Sequence, residues 1–360
     1  MKITVVGMGN AGTAISADLT RMGHQVTLLK TSNAIHSTHH RLLMSTSLVE
    51  LHEKGCVQNV KLYEVTDDFS SAFKDAEIIF VFVQTTYHDQ VIQKMLPFLQ
   101  QDQIVVLEPG YLSTAYFINK QKDIPFAVVE ATSTPVDCRI IQPGSVAILY
   151  RNVRNPIAVF PRKCAKNVMN KLEAIEYNFV LKSSVVEIAL HNPNLIVHTA
   201  GGILSIPRVE KTGGEYYMYR EVFTPSVWRV VEALDNEKMN LLGALGYERI
   251  PYVEACRERN SVDQTVDAKE VFFEYANTSN LKAPTSVYDR FITEDVPQGL
   301  VLLESFSKHL NLPTPVCTSL IEIASHALDI EFRDTGRSVE QLGKDAINAI
   351  LKDSGFQGII

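Results

Sequence analysis

The sequence predicts an α/β fold, with an N-terminal doubly wound parallel sheet followed by an all-α C-terminal domain. Three observations predict it. Short β-branched and apolar runs alternate with helix-like stretches through the first half of the chain. A glycine-rich turn, Gly7-Met8-Gly9-Asn10-Ala11-Gly12, joins the first run to the first helix. From Ser183 onward strand signals fade and helical periodicity takes over. The expected domains are residues 1–182 and 183–360, with the cleft between them as the default ligand site.

A chain of 360 residues is too long for one small core. An apolar content of 46% with 21% charged residues describes a soluble globular protein. The net charge of −7 argues against a nucleic-acid or anionic-membrane surface. The longest apolar run, 78–83, is strand-length, so no bilayer span is expected. Cys56, Cys138, Cys164, Cys256 and Cys317 are scattered and lack C-x-x-C spacing, as reduced thiols of a cytoplasmic protein do. The N-terminus enters a strand at once, unlike a signal peptide.

Residues 2–6 are apolar and β-branched, as a strand buried on both faces requires. In the turn that follows, Gly7 permits the tight reversal, Gly9 lets backbone approach a pyrophosphate, and Gly12 lets the helix pack against the strand. The helix over 11–22 then aims its free N–H groups and positive end at the phosphates. This is a Rossmann-type dinucleotide turn, and it marks Gly7, Gly9, Asn10, Ala11 and Gly12 as cofactor contacts.

The second strand, 25–29, ends in Lys30-Thr31-Ser32-Asn33, and no acid follows until Glu50. An Asp or Glu at that strand end ordinarily holds the ribose hydroxyls. A cation with two hydroxyls suits a 2′-phosphate, so Lys30 and Thr31 point to NADP. NAD is the alternative, in which Lys30 is a solvated strand-end lysine and backbone groups hold the ribose. His36, His39 and His40 follow at metal-like spacing, but no Cys, Asp or Glu completes a tetrahedron. They read as an exposed loop, and no metal is expected.

A strand over 77–83 runs into Gln84-Thr85-Thr86, at the sheet edge where ligands bind, so these three are expected on the nicotinamide side. A helix over 89–99 and a strand over 104–107 follow, the strand ending in Glu108-Pro109-Gly110. Further strands are expected at 126–130, 146–149 and 156–160, extending the same sheet, with a helix over 166–175.

In the second half, 225–245 reads as a long amphipathic helix ended by Gly246. Val227, Val230, Val231, Leu234, Leu241, Leu242 and Leu245 share one face; Arg229, Glu232, Asp235 and Glu237 lie mostly opposite. That apolar face suits either a core or a homodimer partner. Ser338 with Gln341 resembles a capping box for the last helix.

Two stretches in this half look chemical. After Pro193, a helix start, His191, Asn194, His198, Gly201, Gly202 and Ser205 form a polar and small-residue stripe against which a ligand fits. His198 alone reads rather as a satisfied core or helix-contact histidine. In Tyr288-Asp-Arg290-Phe-Ile-Thr-Glu294-Asp295-Val-Pro297, Pro297 marks a helix start and places Asp295 near its N-cap. Alone, Asp295 reads rather as a simple cap and Arg290 as a surface cation.

Together these stretches resemble the octopine/nopaline (opine) dehydrogenase family over nearly the whole chain. The resemblance rests on the glycine turn, Glu108-Pro109-Gly110, Glu130 through Cys138-Arg139, and His191-Asn-Pro-Asn-Leu-Ile-Val-His198. It continues with Thr224-Pro-Ser-Val-Trp-Arg-Val-Val, Arg290 through Leu300, Leu312-Pro-Thr-Pro315 and Gly336 through Gly343. Glycerol-3-phosphate and ketopantoate reductases share the nucleotide fold but use a catalytic lysine with no counterpart here. The resemblance implies reductive condensation of an amino acid with a 2-oxo acid, using NAD(P)H. It implies that His198 is the acid–base residue, Asp295 its partner, Arg290 a substrate-carboxylate contact and Asn194 a substrate contact. Thr199 departs from the family, whose members often carry Pro after this histidine.

These residue types suit that chemistry. An imidazole near neutral pKa moves protons to and from a carbonyl, carbinolamine or imine. A carboxylate on its far nitrogen fixes the tautomer. A guanidinium grips a carboxylate through two parallel hydrogen bonds. Two rivals remain: a 2-oxo-acid or 3-hydroxy-acid reductase needing no amine, and a non-catalytic NADPH sensor. Tyr216, Tyr217, Met218, Tyr219 and Trp228 either shape an amino-acid pocket or pack.

Overall fold

A computed structural model describes residues 1–32, 36–121, 123–278 and 282–360. Of the residues invoked above, Asn33 lies outside this set. The chain forms two compact units, Met1–Val185 and Val186–Ile360.

Among the described residues, the first unit holds twelve strands: β1 (Lys2–Val6), β2 (Gln25–Leu29), β3 (Leu48–Glu53), β4 (Cys56–Lys61), β5 (Glu64–Thr66), β6 (Ile78–Val81), β7 (Ile104–Leu107), β8 (Ala127–Ala131), β9 (Val136–Gln142), β10 (Ser145–Arg151), β11 (Asn155–Phe160) and β12 (Phe179–Leu181). Eight form one sheet in the order β12-β11-β8-β7-β6-β1-β2-β5. From β8 to β5 every pairing is parallel, and β11 joins β8 antiparallel. The strand β1 therefore lies between β2 and β6, the crossover arrangement of a doubly wound sheet. Its central strands are buried on both faces, which explains their unbroken apolar character.

The helices of this unit include α1 (Asn10–Arg21), α2 (Ser37–Thr46), α3 (His88–Met95), α4 (Thr114–Lys120) and α5 (Ala165–Leu172). The helix expected over 89–99 stops at Met95 and continues as a 3₁₀ turn, Leu96–Phe98, because Pro97 supplies no N–H. On the buried side of α1, Asp18 accepts from Arg151 Nη1 and Nη2 at 2.8 Å, from Arg21 Nη2 at 2.6 Å and from Tyr177 Oη at 2.9 Å. This carboxylate ties α1 to β10 and to the segment leading into β12.

Two expectations for this unit need correction. Residues 146–149 do not extend the main sheet; they lie in β10, part of a separate sheet in the order β4-β3-β10-β9. β10 pairs parallel with β3 and antiparallel with β9, and the distant β3 partner leaves no local signal. The β3–β4 hairpin was legible in principle: Val49 and Leu51 alternate inward, and Lys54-Gly55 turns with φ of 49° and 77°.

Second, the histidine cluster is no exposed loop. His39 and His40 lie in α2, 2% and 6% exposed. His39 Nε2 is 3.0 Å from Thr13 Oγ1, and its Nδ1 accepts from Gly144 N at 3.0 Å. His40 Nε2 is 3.0 Å from the Met8 carbonyl. The imidazoles thus seat α2 on the glycine turn, and burial, aided by its histidine neighbours, pushes His39 down to about 4. Among the described residues no group of three or more His, Cys, Asp or Glu is arranged to hold a metal ion.

The second unit is helical. Its elements include α6 (Asn194–Leu204), α7 (Met218–Glu221), α8 (Pro225–Ala244), α9 (Ala268–Thr278), α10 (Val301–His309), α11 (Pro315–Leu328) and α12 (Lys344–Asp353). On α8, Trp228, Val231, Leu234, Leu241 and Leu242 are buried, while Val227 and Val230 are only half-buried. Asp235 and Glu237, expected outside, are buried because each satisfies the start of another helix. Glu237 accepts from Val316 N at 2.8 Å and Cys317 N at 2.9 Å at the head of α11. Asp235 accepts from Tyr252 N at 2.7 Å and pairs with Lys238 at 2.6 Å.

Ser338 does cap a helix, accepting from Gln341 N at 3.1 Å. That helix is the single turn Val339–Leu342, which Gly343 separates from α12, and the Gln341 side chain turns to Asp334 O instead. No helix among the described residues is long and apolar enough to cross a membrane.

Candidate active site

The first unit presents the glycine turn at the carboxyl end of β1. Gly7 has φ of 105°, and a Cβ there would stand 2.4 Å from the Phe82 carbonyl oxygen. At Gly12 a Cβ would lie 1.7 Å from the Gly7 carbonyl oxygen, so only glycine lets α1 start this close to β1. Nothing lies within 4 Å of a Cβ built on Gly9, and no side chain caps this end of α1. The turn therefore combines closed packing at Gly7 and Gly12 with an open backbone approach at Gly9, which fits a dinucleotide pyrophosphate.

The other predicted cofactor residues divide by role. Ala11 is half-buried on the first turn of α1. Asn10 turns inward: its Oδ1 accepts from Ile140 N at 2.8 Å and fastens α1 to β9. Lys30 and Thr31 are half-buried beyond β2, with Lys30 N donating to Thr66 O at 2.8 Å. Beyond β6, Gln84 and Thr86 are exposed while Thr85 is buried. The neighbouring His88 is fully buried, with Nδ1 2.6 Å from Ser113 Oγ and Nε2 2.9 Å from Val83 O.

At the ends of β7 and β8 stand two buried carboxyl groups to which sequence reasoning gave no role. Glu130 accepts from Leu112 N, Thr114 N and Thr114 Oγ1 at 2.8, 2.7 and 2.6 Å. It holds the turn after β7, and its carboxylate fills the space a Cβ on Gly110 would need. Glu108 is 2% exposed, and among the described residues neither of its oxygens has a hydrogen-bond partner. Burial pushes its carboxyl well above the usual range.

In the second unit, His198 sits in the middle of α6 and Asp295 just before a π-helical turn, Val296–Leu300. Gly299 in that turn packs on Leu195, a turn before His198, and this contact sets the two backbones side by side. His198 Nδ1 lies 2.8 Å from Asp295 Oδ2, with both side chains buried. Asp295 occupies the N-cap position but makes no cap hydrogen bond; its carboxylate goes to the imidazole instead. Phe291 stacks on the ring at 3.7 Å and 9°, and the Tyr219 hydroxyl lies 3.2 Å from Nε2. Sequence reasoning missed Phe291, whose only signal was its place beside Arg290, and left Tyr219 between pocket and packing.

Arg290 begins the short helix Arg290–Thr293, with its side chain 45% exposed and Nη1 3.7 Å from Glu294 Oε2. Asn194 is half-buried one turn before His198, its N donating to Asn192 Oδ1 at 2.9 Å. The rest of the expected ligand stripe is filled by protein. Met218 Sδ and Phe223 Cζ stand 3.0 Å from a Cβ on Gly201, and Ile292 Cγ1 stands 3.2 Å from one on Gly202. Thr199 leaves α6 unbroken; its Oγ1 donates to Leu195 O at 2.6 Å. The site thus offers an imidazole with a fixed carboxylate partner, a hydroxyl on its other nitrogen and an accessible guanidinium.

Comparison with known proteins places this architecture. The profile described as NAD/NADP octopine/nopaline dehydrogenase, alpha-helical domain, matches residues 181–328. The profile described as NAD-dependent glycerol-3-phosphate dehydrogenase N-terminus matches residues 2–110. An opine dehydrogenase of Arthrobacter sp. (strain 1C) is 24% identical over 349 residues, 96% of either chain. A vitopine synthase of Allorhizobium ampelinum is 24% identical, again over 96% of each. Among solved structures, octopine dehydrogenase with NADH and agmatine matches at a TM-score of 0.76 and 18% identity, covering 100% of this chain and 99% of that one. Yersinopine dehydrogenase with NADP+ bound matches at 0.74 and 17%, covering 98% of each.

The fold is that of these NAD- and NADP-binding dehydrogenase structures. Over nearly its whole length the chain is thus similar to opine dehydrogenases.

Proposed function

We infer that this chain condenses the amino group of an amino acid with a 2-oxo acid, and runs the reverse, with His198 and Asp295 as its acid–base pair. The observation that carries the reading is the buried 2.8 Å contact between His198 Nδ1 and Asp295, inside the region the octopine/nopaline profile matches. In this reading Nδ1–H donates to the carboxylate, which fixes the tautomer and stabilises the imidazolium. Proton traffic is then left to Nε2, toward the carbonyl or carbinolamine oxygen. Arg290 grips the oxo-acid carboxylate through its accessible guanidinium, and Asn194 borders the same substrate.

The bound nicotinamide supplies the hydride. Gly7, Gly9, Ala11 and Gly12 hold the pyrophosphate, Gln84, Thr85 and Thr86 border the nicotinamide side, and Lys30 with Thr31 reads a 2′-phosphate. NADP is therefore the proposed cofactor and NAD the alternative. The support is the absence of an acid at the β2 end in the sequence, together with the open backbone at Gly9. Asn10 serves this site by anchoring α1 rather than by a side-chain contact to the cofactor.

The test is a panel of amino acids against pyruvate and 2-oxoglutarate, following NADPH and NADH absorbance. Oxidation that requires both the amine and the oxo acid is expected. Equal oxidation without amine makes the chain a simple oxo-acid reductase, and none under any mixture makes it a nucleotide-binding protein without turnover.

A further inference from the structure

Both nitrogens of the His198 ring are already engaged. Nδ1 meets Asp295 Oδ2 at 2.8 Å, and Nε2 meets Tyr219 Oη at 3.2 Å. Phe291 covers one face of the ring at 3.7 Å. Imidazole lone pairs and N–H bonds lie in the ring plane, so a substrate oxygen reaches Nε2 only by displacing Tyr219 or by working through it.

Displacement is resisted by packing. The Tyr219 ring stands edge-on to Tyr275 at 5.5 Å and contacts Phe223 at 6.1 Å and Phe272 at 6.5 Å. Its short helix, α7, is closed on itself where Tyr217 N donates to Glu221 Oε1 at 2.8 Å. The ring remains half-buried, so one side of the residue is accessible.

The hydroxyl has the chemistry to work in series with the histidine. A phenol carries one proton to donate and two lone pairs to accept. When His198 is neutral with Nδ1–H on Asp295, Tyr219 O–H donates to Nε2. When His198 is the imidazolium, Nε2–H donates to Tyr219 Oη, and the phenolic proton is released toward whatever lies beyond. One heavy-atom arrangement thus serves both protonation states.

On the premise of the amine-dependent reaction above, we propose that the Tyr219 hydroxyl carries the proton between His198 and the substrate. In the condensing direction the carbinolamine must lose its hydroxyl. The imidazolium gives its Nε2 proton to Tyr219 Oη as Tyr219 gives its own proton to the departing oxygen. The C–O bond breaks with its electron pair on oxygen, water leaves, and the nitrogen lone pair closes the C=N bond. Histidine ends neutral, tyrosine ends protonated, and nothing is oxidised or reduced. Concerted transfer avoids a free phenolate, whose formation near neutral pH a phenol pKa near 10 opposes.

Tyr219→Phe keeps the ring and its packing and deletes the relay atom. The expected result is a fall in kcat of roughly 10²-fold with a 2-oxo-acid KM within about threefold of wild type. In mixtures of H₂O and D₂O, wild type should give a curved proton inventory from two protons in flight, and Tyr219→Phe a straight line from one. Equal kcat, or a curved inventory retained in the variant, overturns the relay. If Tyr219→Phe does not fold, 3-fluorotyrosine at position 219 replaces it. The more acidic phenol should move the alkaline limb of the kcat–pH profile downward, and an unmoved limb overturns the relay. A wild-type chain without amine-dependent turnover sinks the premise and the relay together; a wild type that turns over while Tyr219→Phe matches it sinks the relay alone.

Discussion

His198 Nδ1 and Asp295 Oδ2 lie 2.8 Å apart although 97 residues separate them in the chain. The contact is buried and held from both sides, by Gly299 against Leu195 and by Phe291 against the ring. If the pair acts as acid and base, Asp295→Asn keeps the shape and removes the charge that stabilises the imidazolium. Turnover should fall about 10²–10⁴-fold in Asp295→Asn and in His198→Ala. NADPH binding, followed by fluorescence titration, should stay within about twofold. Full activity in either variant would defeat the assignment.

The glycines of the first turn should separate folding from binding. At Gly12 a new Cβ has 1.7 Å to the Gly7 carbonyl, so Gly12→Ala should lower the melting temperature sharply or prevent folding. Gly9 has nothing within 4 Å, so Gly9→Ala should melt like wild type without cofactor. Its NADPH affinity should nevertheless drop about tenfold or more, about 1.4 kcal/mol, because the methyl occupies the pyrophosphate's approach. Unchanged affinity in Gly9→Ala would place the cofactor elsewhere.

In the proposed reading, cofactor choice rests on Lys30. A charge-assisted hydrogen bond to a 2′-phosphate contributes about 1.5–3 kcal/mol. Lys30→Ala should therefore weaken NADPH roughly 10- to 100-fold and leave NADH within about twofold. Equal losses for both, measured by calorimetry, would show that the 2′-phosphate is not read there.

Glu108 should make the first unit sensitive to alkali. Burial raises its carboxyl pKa in the fold above that of the unfolded chain, so the folded state retains a proton the unfolded state loses. Stability is whole below the ordinary carboxylate range and declines as pH rises above it. Glu108→Gln, neutral at every pH, should melt higher than wild type at pH 8 and nearly level with it at pH 4.5. Parallel melting curves across that range would disprove the effect.

His39 works in the opposite direction. Its pKa of about 4 in the fold lies below the ordinary 6.5, so protons bind the unfolded chain first. Stability is present above pH 6.5 and lost as pH falls through 4. His39→Gln should show a shallower loss of melting temperature between pH 7 and pH 4.5, whatever its absolute stability. A slope equal to that of wild type would count against it.

Much of this was legible in sequence because it is local. The glycine turn and its helix, the central parallel strands and the start of α6 at Pro193 all carry short-range signals. What escaped notice depends on distant partners. β10 pairs with β3 nearly a hundred residues earlier, a register that local pattern does not encode. Asp235 and Glu237 read as solvent-facing because the helix starts they satisfy come later in the chain. The stripe on α6 suggested a ligand groove because glycine is equally suited to admit a ligand or Met218 and Ile292. His198, Asp295 and Arg290 could be named only through the family resemblance; neither stretch alone distinguishes a cap from a catalytic partner.

The hub at Asp18 constrains how this protein can be dismantled. Arg151 and Tyr177, its partners, arrive 133 and 159 residues after it. Losing such a partner from a buried carboxylate costs about 3–5 kcal/mol. Anyone grafting the unit that carries the glycine turn onto another chain must therefore transplant everything through Tyr177 as one piece. A shorter graft would carry the glycine turn but not the buttress behind its helix.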